Sequence, residues 1–330
     1  MLQVFGRRWN MTNNLIPRQI EEYISYKKAL GYQINIESQQ LRRFASYTIS
    51  VGHKGSLTTD LAFEWATLKP EYSRWYMARR IEIVRTFAKY ICVLDSSAQM
   101  PPKGMFGDCH GRSTPYIYTE EDLFILMKAS MGLLSPDGLR CKAVSTAIGL
   151  LWTTGMRPNE VCGLTDDDVD LTNNLIAIQE TKFSKSRIIP IHETTANELR
   201  GYINERDTLR RNFSDQHFLL STNSRKLVLR NLEYALRVIR NKILMDDKEW
   251  SRRPPRLYDF RHTFACNTLL RWLKKDINID SKIIYLSTYL GHVKVEDTYW
   301  YLTGTPELMQ FTSKKFERYF YENGGINNEE

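Results

Sequence analysis

The chain has 330 residues, 42% hydrophobic and 25% charged, with 17 glycines and 11 prolines. That composition excludes fibrous and largely disordered proteins, and at roughly 150 residues per domain the length predicts two globular units. A net charge of +8 points to a polyanionic partner, with nucleic acid first and an anionic membrane surface as the alternative.

Residues 1–16 read as an N-terminal tail. Met1 to Asn14 holds Arg7, Arg8 and Asn10 and no secretory apolar stretch, and no later run reaches the roughly 18 apolar residues of a membrane span, so a cytoplasmic address is expected. Cys92, Cys109, Cys141, Cys162 and Cys266 are odd in number and lack C-x-x-C spacing, which predicts reduced thiols rather than a disulfide frame or a metal site.

Residues 17–95 read as four short helices. Ile20, Ile24 and Leu30 recur at helical spacing and stop at Gly31. Leu41, Phe44, Ala45 and Ile49 follow a Ser38 cap and stop at Gly52, and Leu61 and Trp65 follow Thr58-Thr59. The fourth helix has an apolar stripe of Ala78, Ile81, Val84, Ala88 and Ile91, with Arg79, Arg80 and Arg85 among the cations on its other faces. These three arginines are candidate DNA contacts on a basic outer face.

Periodicity fails over 96–118, where prolines and glycines cluster around Pro101-Pro102, Gly107 and Pro115, so a linker is placed there. Thr119-Glu120-Glu121 reads as a helix start, and residues 119–322 form a larger mixed α+β domain before a polar tail, 323–330. Its strand signal is a hairpin of Leu175 to Ile178 and Arg187 to Ile191 around Phe183-Ser184-Lys185-Ser186.

The phosphate loops, dinucleotide fingerprint, zincin motif and serine elbow of other enzyme classes are missing. Asp166, Asp167, Asp168 and Asp170 could hold magnesium, yet they occupy an ordinary polar connection. Thr154-Gly155-Met156-Arg157-Pro158-Asn159-Glu160 places Arg157 beside a helix start, where an arginine either holds phosphate or caps the helix. Lys182 precedes a turn carrying Lys185 and Arg187 and reads, by itself, as a solvated lysine. Tyr258, Arg261 and His262 share one helix face, and Tyr301 follows His292 of Leu290-Gly291-His292 by nine residues. Between Ser224 and Arg256 cations exceed acids by six, Arg252 and Arg253 among them. About half would be ordinary solvated positions and the rest sequence-independent phosphate contacts.

In order and content, Arg157 in T-G-x-R-x-x-E, the hairpin Lys182, Arg261 in R-H-T-F-A, His292 in L-G-H and Tyr301 resemble the tyrosine recombinase (phage integrase) family. The resemblance covers 119–320, and the all-α first domain is similar to the family's core-binding, SAM-like module. It implies attack of Tyr301 on a DNA phosphodiester, leaving a 3′-phosphotyrosine and a free 5′-hydroxyl without ATP, metal or other cofactor. Arg157 and Arg261 would stabilise the transition state, Lys182 would protonate the leaving oxygen and His292 would bond a non-bridging oxygen. Four protomers on two duplexes are implied, with accessory recombination proteins as further partners. The strings Leu286 to His292 and Thr298 to Thr303 look closest to members carried by transposons and other mobile elements.

Tyr258 departs from the pattern, which has histidine at that place. A phenol donates a hydrogen bond but accepts a proton poorly at pH 7, so Tyr258 is either a phosphate donor or a core residue. Tyr299 is a second candidate nucleophile, and Trp300 reads as a packing anchor. The segment with Met309, Phe311, Lys314, Lys315, Phe316 and Arg318 would dock as a helix in cis or on a neighbour. A type IB topoisomerase and a non-catalytic DNA-binding regulator are the alternative readings.

Overall fold

The structure is a computed structural model, which describes residues 15–109, 115–179, 186–209, 216–243, 254–303, 308–310 and 313. The chain divides between Ser113 and Thr114 into two units, each with its own apolar core.

In the first unit, α1 (Leu15–Ala29), α2 (Asn35–Ser50), α3 (Thr59–Ala66) and α4 (Arg74–Leu94) surround one core. The fully buried Ile16 belongs to it, so the apolar stripe of α1 begins inside the segment expected as tail. Ser38 does not cap α2. It lies in the first turn, where its Oγ donates to Asn35 O at 3.0 Å, a bond hydroxyls make inside helices. Thr58 caps α3 by accepting from Leu61 N. The expected stripe of α4 is buried throughout. Ala98, Met105 and Phe106, expected in a linker, pack against this core.

The basic outer face differs from expectation. Arg80 is 4% exposed. Its guanidinium donates to Trp65 O at 2.6 Å and lies 3.8 Å above the Trp65 ring, a cation–π stack that turns the charge inward. Arg85 donates to Pro101 O and approaches Glu82 at 3.5 Å, and Arg79 pairs with Glu37 at 3.3 Å. Of the three, Arg80 is thereby removed from the surface.

In the second unit, α5 (Glu120–Ser130) starts with a reciprocal capping box between Thr119 and Asp122. The apolar α6 (Leu139–Thr154) is the central helix, packed against α5, α8 (Glu193–Leu209) and α10 (Leu257–Lys274). A helix with apolar residues on most faces must be covered on all sides. After α7 (Pro158–Gly163), strands β1 (Val169–Asp170), β2 (Leu175–Ile178) and β3 (Arg187–Pro190) form an antiparallel sheet in that order, with Ile178 opposite Arg187. A second small sheet pairs β4 (Leu220–Ser221) with β5 (Arg225–Lys226). These runs of two residues were too short for alternation to reveal. Then follow α9 (Leu229–Ile243), α10, α11 (Ile279–Leu290), α12 (Glu296–Tyr299) and a turn of 3₁₀ helix, Trp300–Thr303.

The acidic run does structural work. Asp166 pairs with the buried Arg206, Asp168 accepts from Thr165, and Asp170 accepts from Thr172 and Asn173. Tyr118, also expected in the linker, is buried and stacks on Phe260 of α10 with ring centroids 3.9 Å apart. Among the described residues no helix is long and apolar enough to cross a membrane.

Candidate active site

The site grows from two helix ends and the start of α10. Helix α6 stops at Gly155, whose φ of +59° is left-handed and suits glycine. Space makes a second demand there, since a Cβ on Gly155 would lie 2.6 Å from the Phe264 ring. The turn delivers Arg157 to the start of α7, with Pro158 at the first helical position. Helix α11 likewise stops at Gly291, at φ +67°, which passes the chain to His292. Tyr258 and Arg261 lie one turn apart in α10.

The last carbonyls of a helix lack intrahelical donors, and its C-terminal end carries partial negative charge. At the end of α11 three consecutive carbonyls each accept from a different arginine. Arg187 Nε donates to Tyr289 O at 2.9 Å, Arg261 Nη2 donates to Leu290 O, and Arg157 Nη2 donates to Gly291 O at 3.0 Å. Arg261 also donates to Gly155 O at 3.0 Å, so one guanidinium ties both helix ends together. Glu160 bridges the other two arginines. Its carboxylate accepts from Arg157 Nη1 at 2.8 Å and from Arg187 Nη1 and Nη2 at 3.0 and 2.7 Å. Burial alone would raise the Glu160 pKa, but the hydrogen bonds and charges of Arg187 and the bonds from Arg157 outweigh it and hold the carboxyl below its ordinary value.

Tyr301 is 4% exposed. Burial pushes its phenol above the ordinary value near 10, against the pull of the Arg261 charge. The phenol is therefore protonated at neutral pH and sits against the cation best placed to stabilise its anion. His292 stacks beside it with centroids 5.9 Å apart and planes 20° off parallel, and its Nδ1 is 2.8 Å from Thr298 Oγ1. The His262 ring lies 5.4 Å from the Tyr301 ring, tilted by 60°. Trp300 packs edge-on against His262 at 5.1 Å, in keeping with a packing anchor.

Tyr299 is held apart from this group. Its hydroxyl donates to Asp280 at the start of α11 over 3.1 Å. Tyr258 is 47% exposed, which removes the core-packing alternative. The structure thus gathers Arg157, Arg261, His292 and Tyr301, while Tyr258, one turn before Arg261 in α10, is exposed. Arg187, expected as a DNA contact, is only 10% exposed at its side chain because the pairing with Glu160 draws it inward. Lys182, Lys185, Arg252 and Arg253 lie outside the described residues, as do Phe311, Lys314, Lys315, Phe316 and Arg318.

The sequence profile of the phage integrase family matches residues 117–307. The chain belongs to that family. It is accordingly a tyrosine-type recombinase that breaks and rejoins DNA strands. It is 33% identical over 304 residues to y4rB of Sinorhizobium fredii, provisionally named an integrase/recombinase, covering 91% of this chain and 96% of the relative. It is 24% identical over 306 residues to the tyrosine recombinase XerA of Thermococcus kodakarensis, covering 92% and 95% of the two chains. Among solved structures, the Tn1549 transposon integrase with a circular intermediate DNA shares the fold at TM-score 0.65 and 18% identity, covering 87% of this chain and 94% of that one. XerH bound to palindromic difH DNA does so at TM-score 0.62 and 17% identity, covering 91% and 85%.

Sequence reasoning named Glu160 within a motif but gave it no role. Its signal was spacing, because an acid three residues after an arginine reaches the same helical face. Nothing local pointed to Arg187 as its second partner.

Proposed function

We propose that this recombinase cuts one strand of a specific DNA site by attack of the Tyr301 oxygen on phosphorus. The Tyr301–phosphate bond forms as the bond to the 5′-oxygen breaks, leaving a 3′-phosphotyrosine. Lys182 gives the leaving oxygen its proton, and the phenol proton passes to solvent water as the nucleophile attacks. Arg157 and Arg261 hold charge on the non-bridging oxygens, with hydrogen bonds from His292 and Tyr258. A hydroxyl from another strand reverses the step, so the phosphoester bond energy is retained in the covalent intermediate.

The observation that carries this reading is the buried Tyr301 phenol stacked beside His292 within the influence of the Arg261 charge, while Tyr299 is engaged elsewhere by Asp280. Exchange between two duplexes takes four cleavages, so the active assembly is a homotetramer, served by accessory recombination proteins. Its biological task is integration, excision or transposition of a mobile element, integration being the activity in the name of the y4rB relative.

Trapping on a nicked suicide substrate tests the chemistry. Tyr301→Phe is expected to abolish the covalent adduct and leave duplex binding near wild type, whereas Tyr299→Phe stays active. Peptide mapping that finds the DNA on Tyr299 would overturn the assignment. Relaxation of a plasmid lacking recombination sites would favour the topoisomerase alternative.

A further inference from the structure

Arg187 is committed to partners within the protein. It opens β3, five residues after Lys182 in the sequence, and its side chain is 10% exposed. All three guanidinium nitrogens are used inside the protein. Nη1 and Nη2 form a two-pronged pair with Glu160, and Nε donates to Tyr289 O. The fork also fills the space over Gly291, where an added Cβ would lie 3.0 Å from Nη1 and 3.2 Å from the guanidinium carbon. Gly291 thus has two reasons to be glycine, its left-handed backbone and this close approach.

The partners of Arg187 are the supports of the proposed phosphate-binding groups. Glu160, its ion-pair partner, also holds Arg157. Tyr289 and Gly291 form the helix end that leads into His292, and the next carbonyl, Leu290 O, receives Arg261. An arginine fork can satisfy a carboxylate and a carbonyl at once in fixed geometry, whereas a lysine ammonium is a point charge on a flexible stem.

We propose that Arg187 is a positioning residue for strand cleavage. Through Glu160 it fixes Arg157, and through the end of α11 it fixes His292, so the hairpin that carries Lys182 is joined to both. It acts through these groups and does not touch DNA. The proposal rests on the reading of Tyr301 as nucleophile given above.

The test compares wild type, Arg187→Ala and Arg187→Lys in single-turnover cleavage at saturating suicide substrate, with duplex affinity measured over a salt series. Mapping the wild-type adduct to Tyr301 comes first. Failure there defeats the underlying reading, whereas a normal wild-type adduct leaves only the role of Arg187 in question. Arg187→Ala is expected to cleave roughly 10- to 100-fold more slowly, because misplacing reacting groups by about 1 Å costs that much, with affinity and salt slope unchanged.

The acid limb of the rate profile should also move to higher pH. Glu160 is faced by Arg157 of its own helix, Arg187 of β3 and the charge of Arg261 of α10. Removing Arg187 deletes the strongest influence holding that buried carboxyl down. Arg187→Lys keeps a cation there, so it should restore the acid limb and recover only part of the rate. If Arg187→Ala does not fold by circular dichroism, the partial rate of Arg187→Lys carries the test. Weaker binding with a salt slope reduced by about one and a wild-type saturated rate would make Arg187 a phosphate contact and overturn the proposal. A wild-type rate with an unmoved acid limb in every folded variant would overturn it equally.

Discussion

A single methyl group at position 155 would collide with the Phe264 ring and force an L-residue into the left-handed region. The backbone strain costs about 1–2 kcal/mol and overpacking about 1–3 kcal/mol. Gly155→Ala is therefore expected to lower stability by about 2–5 kcal/mol, read as a lower denaturation midpoint at unchanged m-value. Relief comes only by moving α10 from the end of α6, and with it the Arg261 bond to Gly155 O. At Tyr258, nearly half the side chain is exposed, so Tyr258→Phe should leave the denaturation midpoint nearly unchanged. If its hydroxyl donates to phosphate, that variant slows single-turnover cleavage by roughly 10- to 1,000-fold. Tyr258→His keeps partial activity, because imidazole also donates. A wild-type rate in Tyr258→Phe would strike Tyr258 from the reacting groups.

Among the elements, α3 and α4 are joined by a charge turned inward. Arg80 combines a hydrogen bond to Trp65 O with a stack on the Trp65 ring. A bond from a charged donor is worth about 1.5–3 kcal/mol and a cation–π contact about 0.5–2 kcal/mol. Arg80→Ala should cost about 2–4 kcal/mol in the first unit's unfolding while leaving the salt slope of DNA binding as in wild type. A phosphate contact would behave oppositely, losing about one unit of slope at little cost in stability. The end of α11 is the corresponding junction in the second unit, since it receives arginines from α10, from β3 and from the start of α7. A substitution that frays this end is felt at three side chains at once.

Across the whole molecule, the separate cores of the two units set how it unfolds. The first is closed by α1 to α4 with Ala98, Met105 and Phe106, and the second begins with Tyr116 and Tyr118 against its own helices. A polypeptide of residues 1–109 and one of residues 115–330 should therefore each fold, giving helical circular dichroism and a cooperative melt. A non-cooperative melt of 115–330 would show that the second core depends on the first unit. Charge also acts at this scale. With a net +8, duplex affinity should fall as salt rises, linearly on logarithmic axes, through counterion release.

What the sequence alone determined was whatever depends on neighbours in the chain. The Thr58 and Thr119 caps, the stripe of α4 and the hairpin of β2 and β3 follow from turn chemistry and periodicity within a few residues. The order of Arg157, Lys182, Arg261, His292 and Tyr301 sufficed to indicate the family, because that signal is also linear. Tertiary structure decided which way the long polar side chains point. Arg80 and Arg187 read as surface cations like their neighbours, yet one lies over Trp65, fifteen residues away, and the other on Glu160 and Tyr289, 27 and 102 residues away. It also separated Tyr299 from Tyr301, two residues apart, by giving the first to Asp280 and stacking the second on His292. A guanidinium or phenol has the reach to go outward or inward, and its partner settles the direction by compensating desolvation. Those partners come from elements distant in the chain, so no local pattern encodes them.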